Sequence, residues 1–309
     1  MVISNQSQVR NSVSIWLQAS RPFAYSASVI PVLVGALIAL AYFPGEINWA
    51  LFPVAMIAGV MFHAGTNMIS DYFDFRNGLD TKDSFGGSRV LVENLMEPRK
   101  LFIGGNICFA VGLALGIILI IYRGETILLL GIIGLLGGWF YSGSPFGFKD
   151  VALGDFLVFT LMGPLMVIGS YFTVTGDFNM NVLYISLPVG FLVAAILHSN
   201  NLRDTMHDRK TKVKTMAMIT GLMGAKTEYF ALVIGAYVSV VVMVFTGTLA
   251  PWALLVFISV PQAVGNLKEI AAARIESPEK IAMIDAKTAQ HHMAFGLLLS
   301  LALVLTKLV

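Results

Sequence analysis

Apolar runs about as long as a bilayer is thick alternate with short polar stretches through almost all of this 309-residue chain. A hydrocarbon layer about 30 Å thick takes roughly 20 helical residues to cross. Nine runs reach that length, near residues 23–43, 49–70, 100–122, 125–143, 153–174, 182–201, 228–247, 250–270 and 287–308. They predict an all-α integral membrane protein with nine transmembrane helices in one domain, residues 23–309. Residues 1–22 form a polar, then mildly amphipathic, lead-in carrying Val13, Ile15, Trp16 and Leu17. It lacks the apolar core and cleavage site of a signal peptide, and an interfacial helix is expected there. Pro31, Pro164, Pro188 and Pro261 interrupt the runs, which a membrane tolerates where neighbouring helices re-satisfy the freed carbonyls. The pairs Gly112/Gly116 and Gly134/Gly138 suit close helix packing.

Polar residues break this pattern most sharply at two places. The second run closes on Asn67-Met-Ile-Ser-Asp71-Tyr-Phe-Asp74-Phe-Arg76-Asn-Gly78-Leu-Asp80-Thr-Lys82-Asp83, which packs four acids and two bases into one short stretch. A charged side chain at a bilayer centre costs roughly 2.5–3.5 kcal/mol on insertion scales and normally faces a cavity or a partner. If the helix continues through this end, Asn67, Asp71 and Asp74 share one face, and Gly78 then releases it. The sixth run closes on Asn200-Asn-Leu-Arg203-Asp204-Thr-Met-His-Asp208-Arg209-Lys210, where Asn200, Asp204 and Asp208 repeat that face. Two oxygen-rich clusters flanked by bases suit a magnesium-bound diphosphate, since magnesium prefers carboxylate and phosphate oxygens and the bases take the remaining phosphate charge. Ordinary solvated helix ends are the plainer alternative, and the repeated spacing weighs against it.

Composition agrees with the run pattern: 57% of residues are hydrophobic and 12% charged, against about 25% charged in soluble proteins. The net charge of +2 says little, but its distribution says more. With a cytoplasmic N-terminus, eighteen of the twenty Lys and Arg fall on one side, and Arg123 and Lys307 on the other. That asymmetry predicts a multi-pass protein of the inner cell membrane with both polar clusters on the cytoplasmic side. Cys108 is the sole cysteine, so no internal disulfide forms. No nucleic-acid partner is expected.

Elsewhere, the second connection holds Gly86-Gly87-Ser88-Arg89, a plain turn or a stretch whose N–H groups approach a phosphate. Tyr141 ends the fourth run and fits an interfacial belt or, alternatively, a ring turned toward a developing carbocation. Lys149 is the base of the loop that follows, and Asp155 enters the fifth run with no evident partner, which makes it a site candidate. His63, one turn before Asn67, reads as a hydrogen-bonded core residue. His291-His292 lacks helical ligand spacing, and no metal is expected there. A secondary transporter also places acids at helix breaks, but near the midplane rather than at helix ends.

Arg21-Pro22, the Asn67–Asp80 stretch with its Asp-Tyr-Phe-Asp core, Tyr141–Pro145, Leu153-Gly154-Asp155 and Asn200-Asn201-Leu202-Arg203-Asp204 with Asp208 carry a resemblance. Over nearly its whole length the chain resembles the UbiA superfamily of intramembrane prenyltransferases, and within it the 1,4-dihydroxy-2-naphthoate polyprenyltransferase branch. The resemblance implies a UbiA-like bundle of nine helices acting on a polyprenyl diphosphate donor and an aromatic acceptor. It implies two magnesium ions held by Asn67, Asp71, Asp74, Asp204 and Asp208, with Asn200 and Asp80 beside them. Ser70 stands where the superfamily often has Asn, and Gly78 at the last acid position, with Asp80 two residues on. Diphosphate contacts would come from Arg21, Arg203 and Lys149, with Arg76, Lys82 and Arg209 as further bases, and Tyr141, Lys149 and Asp155 would serve catalysis. Acceptors of other branches are 4-hydroxybenzoate, homogentisate, chlorophyllide and a glycerol phosphate lipid.

Overall fold

The computed structural model describes residues 11–82, 85–142, 147–148, 151–208, 214–274 and 276–309. Lipid offers no partner to a backbone N–H or C=O, so spanning segments of this composition close their hydrogen bonds within helices. The helices are α1 (Ser12–Ser20), α2 (Ser26–Tyr42), α3 (Leu51–Arg76), α4 (Pro98–Arg123), α5 (Glu125–Ser142), α6 (Gly154–Thr160), α7 (Met166–Thr175), α8 (Met180–Asp208), α9 (Met216–Phe245), α10 (Val260–Ala272) and α11 (Ile284–Leu308). Among the described residues, eight helical segments are long and apolar enough to span, and the apolar stretch of α5, Glu125–Tyr141, is slightly shorter. Together they match the nine runs. The fifth span is α6 and α7 joined by a π turn, Leu161–Leu165, which contains Pro164. The eighth is a 3-10 segment, Pro251–Ser259, leading into α10, where Pro261 lies in the first turn. Helices α2 and α8 run through Pro31 and Pro188.

The main core lies between α2, α7, α8, α9 and α11, around Ile30, Ile38, Ile185, Leu192, Tyr229 and Phe295. Large apolar side chains such as Ile121 and Phe245 are exposed on the outer faces, as a lipid-facing surface requires. A second, smaller core of Ala19, Met68, Val90, Leu91 and Leu101 anchors the α3–α4 connection against α1, α3 and α4. Arg123 caps the opposite end of the bundle: its Nε and Nη2 donate to the Thr173 and Val174 carbonyls at 2.6 and 2.9 Å, at the C-terminus of α7. The expected glycine packing is uneven. A Cβ on Gly112 would meet the Phe62 ring at 3.1 Å, whereas one on Gly116 would meet nothing within 4 Å. Gly116 borders a cavity instead.

Candidate active site

Helix α3 stays helical to Arg76 and stops at Gly78, whose φ is +72°. Asn67, Asp71 and Asp74 therefore keep their common direction, and α8 does the same for Asn200 and Asp204. Between the two helix ends runs the Gly86–Ser88 stretch. A Cβ on Gly86 would lie 3.0 Å from Asp204 Oδ2, and one on Gly87 3.0 Å from Asp80 Oδ2 and 3.5 Å from Asp71 Oδ1. Consecutive Cα atoms are about 3.8 Å apart, so the Asp71 and Asp204 carboxylates lie within about 13 Å of each other. A side chain at either position would press on a carboxylate that would have to shift slightly, and Gly87 also has a φ of +76°, which favours glycine.

The Gly86–Ser88 stretch is fastened to α3. Ser88 donates its N–H to Asp71 Oδ2 at 2.9 Å, its hydroxyl bonds the same oxygen, and its carbonyl accepts from Gln18 Nε2 at 2.8 Å. Arg21 Nη2 pairs with the other Asp71 oxygen. Arg21 occupies the left-handed region, φ +53°, between α1 and the turn that opens with Pro22, a conformation uncommon outside Gly. Burial opposes the Arg21 charge, but Asp71, Asp80 and Asp74 outweigh it and hold the guanidinium above its ordinary pKa. Arg21 Nε is buried with no hydrogen-bond partner. Asn67 Nδ2 donates to the Ser20 carbonyl at 3.3 Å, and Ser70 Oγ to Asp74 Oδ2 at 3.2 Å.

On the other side Arg203 is 3% exposed and fully engaged. Its Nε and Nη2 fork onto Asp204 at 2.9 and 3.0 Å, Nη2 also bonds Asn200, and Nη1 reaches the Ala282 carbonyl at 3.1 Å and Asp285 Oδ2 at 2.8 Å. Arg203 therefore ties α8 to the start of α11, and it also lines the cavity described below.

Both clusters open into one cavity of about 930 Å³. Its polar end carries Arg21, Asn67, Asp74, Asp80, Asn200 and Asp204, and Tyr141 and Thr66 lie along its wall. The rest is apolar and runs between α3, α4, α5 and the α6–α7 span, past Ile117, Ile120, Leu128, Ile132, Val158 and Met162. Asp71 is 3% exposed and sits behind Arg21 and Ser88. His63 also lines the cavity, its Nδ1 2.9 Å from Ser28 Oγ, as a hydrogen-bonded core histidine should.

Some expected site residues lie elsewhere. Arg76 is exposed, donates to the Tyr72 hydroxyl at 3.1 Å and stacks 5.7 Å from that ring, outside the cavity. Lys82 does not line the cavity, and its carbonyl accepts from Arg89 Nη2 at 3.3 Å. Asp155 is buried next to the cavity without lining it: Oδ2 is 2.8 Å from His198 Nδ1, and Oδ1 accepts from Asn201 Nδ2 at 3.1 Å. Lys149 and Arg209, and the Asp208 side chain, lie outside the described residues. Sequence reasoning gives no site role to Ser88, His198, Asn201 or Asp285. Ser88 and Asn201 carry a signal, one by following two glycines and the other by standing beside Asn200; His198 and Asp285 carry none.

The UbiA prenyltransferase family model matches residues 28–284. The chain is 32% identical over 292 residues, 94% of its length and 92% of the relative's, to 1,4-dihydroxy-2-naphthoate octaprenyltransferase of Bacillus subtilis (strain 168). It is 33% identical over 216 residues to UbiA prenyltransferase domain-containing protein 1 of Homo sapiens, covering 69% of this chain and 62% of that one. A UbiA homolog from Archaeoglobus fulgidus bound to GPP and Mg2+ shares the fold with a TM-score of 0.63 at 15% identity, over 93% of this chain and 99% of that one. The apo structure of a UbiA homolog from Aeropyrum pernix K1 gives 0.65 at 15% identity, over 91% and 97%. With the family model spanning most of the chain and the paired polar helix ends at one cavity, this multi-pass membrane protein belongs to the UbiA prenyltransferase family.

Proposed function

We propose that the protein transfers the prenyl group of an allylic polyprenyl diphosphate to 1,4-dihydroxy-2-naphthoate, giving a demethylmenaquinol, the reduced form of demethylmenaquinone, with carbon dioxide and diphosphate. The observation that carries this reading is one cavity with oxygen donors and Arg21 at its polar end and a long apolar wall behind them. An amphiphile with an anionic head and a hydrocarbon tail matches that division. The near full-length similarity to a naphthoate octaprenyltransferase supports the acceptor.

The donor set fits magnesium, which takes hard oxygens and keeps room for phosphate and water. Asp74 and Asp204, with Asn67, Asn200 and Asp80, would hold it, joined by Asp208 and by Asp71 once its bonds to Arg21 and Ser88 are exchanged. The metal, bound, supplies positive charge that offsets the charge growing on the departing diphosphate. Arg21, with its unpaired Nε, takes a diphosphate oxygen, and Lys149 and Arg209 are proposed to do the same. The allylic C–O bond breaks with its electron pair leaving on diphosphate. A ring carbon of the acceptor then supplies the pair for the new C–C bond, and loss of the carboxyl as carbon dioxide returns a pair to the ring. Tyr141 faces the cation with its electron-rich ring, and the apolar wall excludes water that would quench it. The charge asymmetry of the loops supports a site on the cytoplasmic face of the inner membrane.

Incubating the purified protein with magnesium, a radiolabelled polyprenyl diphosphate and separate aromatic acceptors tests this directly. Labelled demethylmenaquinol from the naphthoate is expected, read as demethylmenaquinone after oxidation in air. Transfer to 4-hydroxybenzoate or homogentisate with none to the naphthoate would refute the acceptor assignment.

A further inference from the structure

A buried polar chain reaches the cavity wall from behind. His198 Nε2 lies 2.8 Å from the Ala225 carbonyl, an atom that can only accept, so this nitrogen carries a hydrogen. The other ring nitrogen, Nδ1, lies 2.8 Å from Asp155 Oδ2 and 3.7 Å from Glu228 Oε1. Asp155 passes the constraint on, because its Oδ1 accepts from Asn201 Nδ2 at 3.1 Å. Three helices, α6, α8 and α9, are thereby tied at one point. Asp155, His198 and Glu228 hold their ligand atoms within 4.8 Å of one another, yet the short Asp155–His198 contact is that of a hydrogen bond.

The consequence falls on Asn201, which lines the cavity. With its amide nitrogen committed to a carboxylate, its orientation is fixed, and among the described residues nothing bonds Oδ1. A diphosphate offers only acceptor oxygens and cannot pair with that atom. Asn201 is held toward α6, whereas it is Asn200, with Arg203 and Asp204, that comes nearest to Gly86. We propose that Asn201 Oδ1 accepts a hydrogen bond from a ring hydroxyl of the acceptor, and that Asp155 and His198 are the positioning residues that hold it. This rests on the reading of the protein as a transferase to a hydroxylated aromatic ring.

The test is steady-state transfer by the purified full-length protein, varying donor, acceptor and magnesium separately. Asn201→Ala and Asp155→Ala are expected to raise the acceptor KM about tenfold, the effect of one lost hydrogen bond, with donor KM and the magnesium requirement unmoved. Asp155→Asn should recover most of what Asp155→Ala loses, since an amide can accept from Asn201 and donate to a neutral His198 Nδ1. A merely structural role would move donor and acceptor constants together and would overturn the proposal. A raised magnesium requirement with unchanged acceptor KM would make Asn201 a metal ligand and also overturn it. Asp155→Asn as damaging as Asp155→Ala would mean that the carboxylate itself is needed, by charge or as a metal ligand, and would overturn it too. Failure of the underlying reading looks different: the wild-type protein would transfer to no hydroxylated ring at all, which overturns both.

Discussion

At the scale of single residues, the site is held by guanidinium–carboxylate pairs that the sequence can list but not assign. Arg203 and Asp204 are adjacent in the chain, yet the second acid on Arg203 is Asp285, on α11. Removing one partner of a buried pair costs about 3–5 kcal/mol, so Arg203→Ala should markedly lower the thermal unfolding temperature in detergent. An Arg203 serving only as a free diphosphate base would leave that temperature unchanged. The two glycines separate space from conformation. Gly86→Ala meets a carboxylate that can shift by a few tenths of an ångström, whereas Gly87→Ala adds a φ of +76° to a similar contact. That conformation costs an L-residue roughly 1–2 kcal/mol, so Gly87→Ala should reduce activity several-fold more than Gly86→Ala, as read by initial rates. Tyr141 faces the cavity, and Tyr141→Phe separates its two possible contributions. If the ring stabilises the cation, Phe retains most of kcat and Ala little; equal losses would assign the work to the hydroxyl.

At the scale of elements, the spans are legible in the sequence because period and length are local properties, and the asparagine-to-aspartate faces because a helix repeats every 3.6 residues. Less legible is everything decided by contact between distant segments. The Gly86–Ser88 stretch looks like a plain turn until Asp71 and Gln18 are seen to hold it. Arg76 looks like a site base because it is near in sequence, but the end of α3 turns it out onto Tyr72. Asp155 looks unpartnered because His198 is 43 residues away. The π turn Leu161–Leu165 has Pro164 as its sequence sign, and its role lies in a close crossing: a Cβ on Gly163 would stand 2.5 Å from Gly190 Cα. Overpacking of this kind typically costs about 1–3 kcal/mol. Gly163→Ala should therefore lower the unfolding temperature, while Gly116→Ala, with open space before it, should not.

At the scale of the whole molecule, the bundle brings the polar ends of α3 and α8 to one end of a cavity whose remainder is apolar. The second and sixth connections leave from that end, and Arg123 closes α7 at the other. The charge asymmetry makes a directional prediction: a cysteine at Asn94, in a protein with Cys108 replaced, should be labelled from the cytoplasmic side, and one at Asp177 from the opposite side. Labelling in the reverse sense would invert the topology. Both oxygen-rich helix ends are proposed to form one magnesium-dependent site for the diphosphate. Equilibrium binding of a labelled polyprenyl diphosphate to the purified protein, with and without magnesium, tests it most directly when repeated on Asp74→Asn and Asp204→Asn. Wild-type binding is expected to require magnesium, and either single substitution to abolish most of it while the protein stays folded. Full binding without magnesium, or binding that survives loss of either cluster, would contradict it.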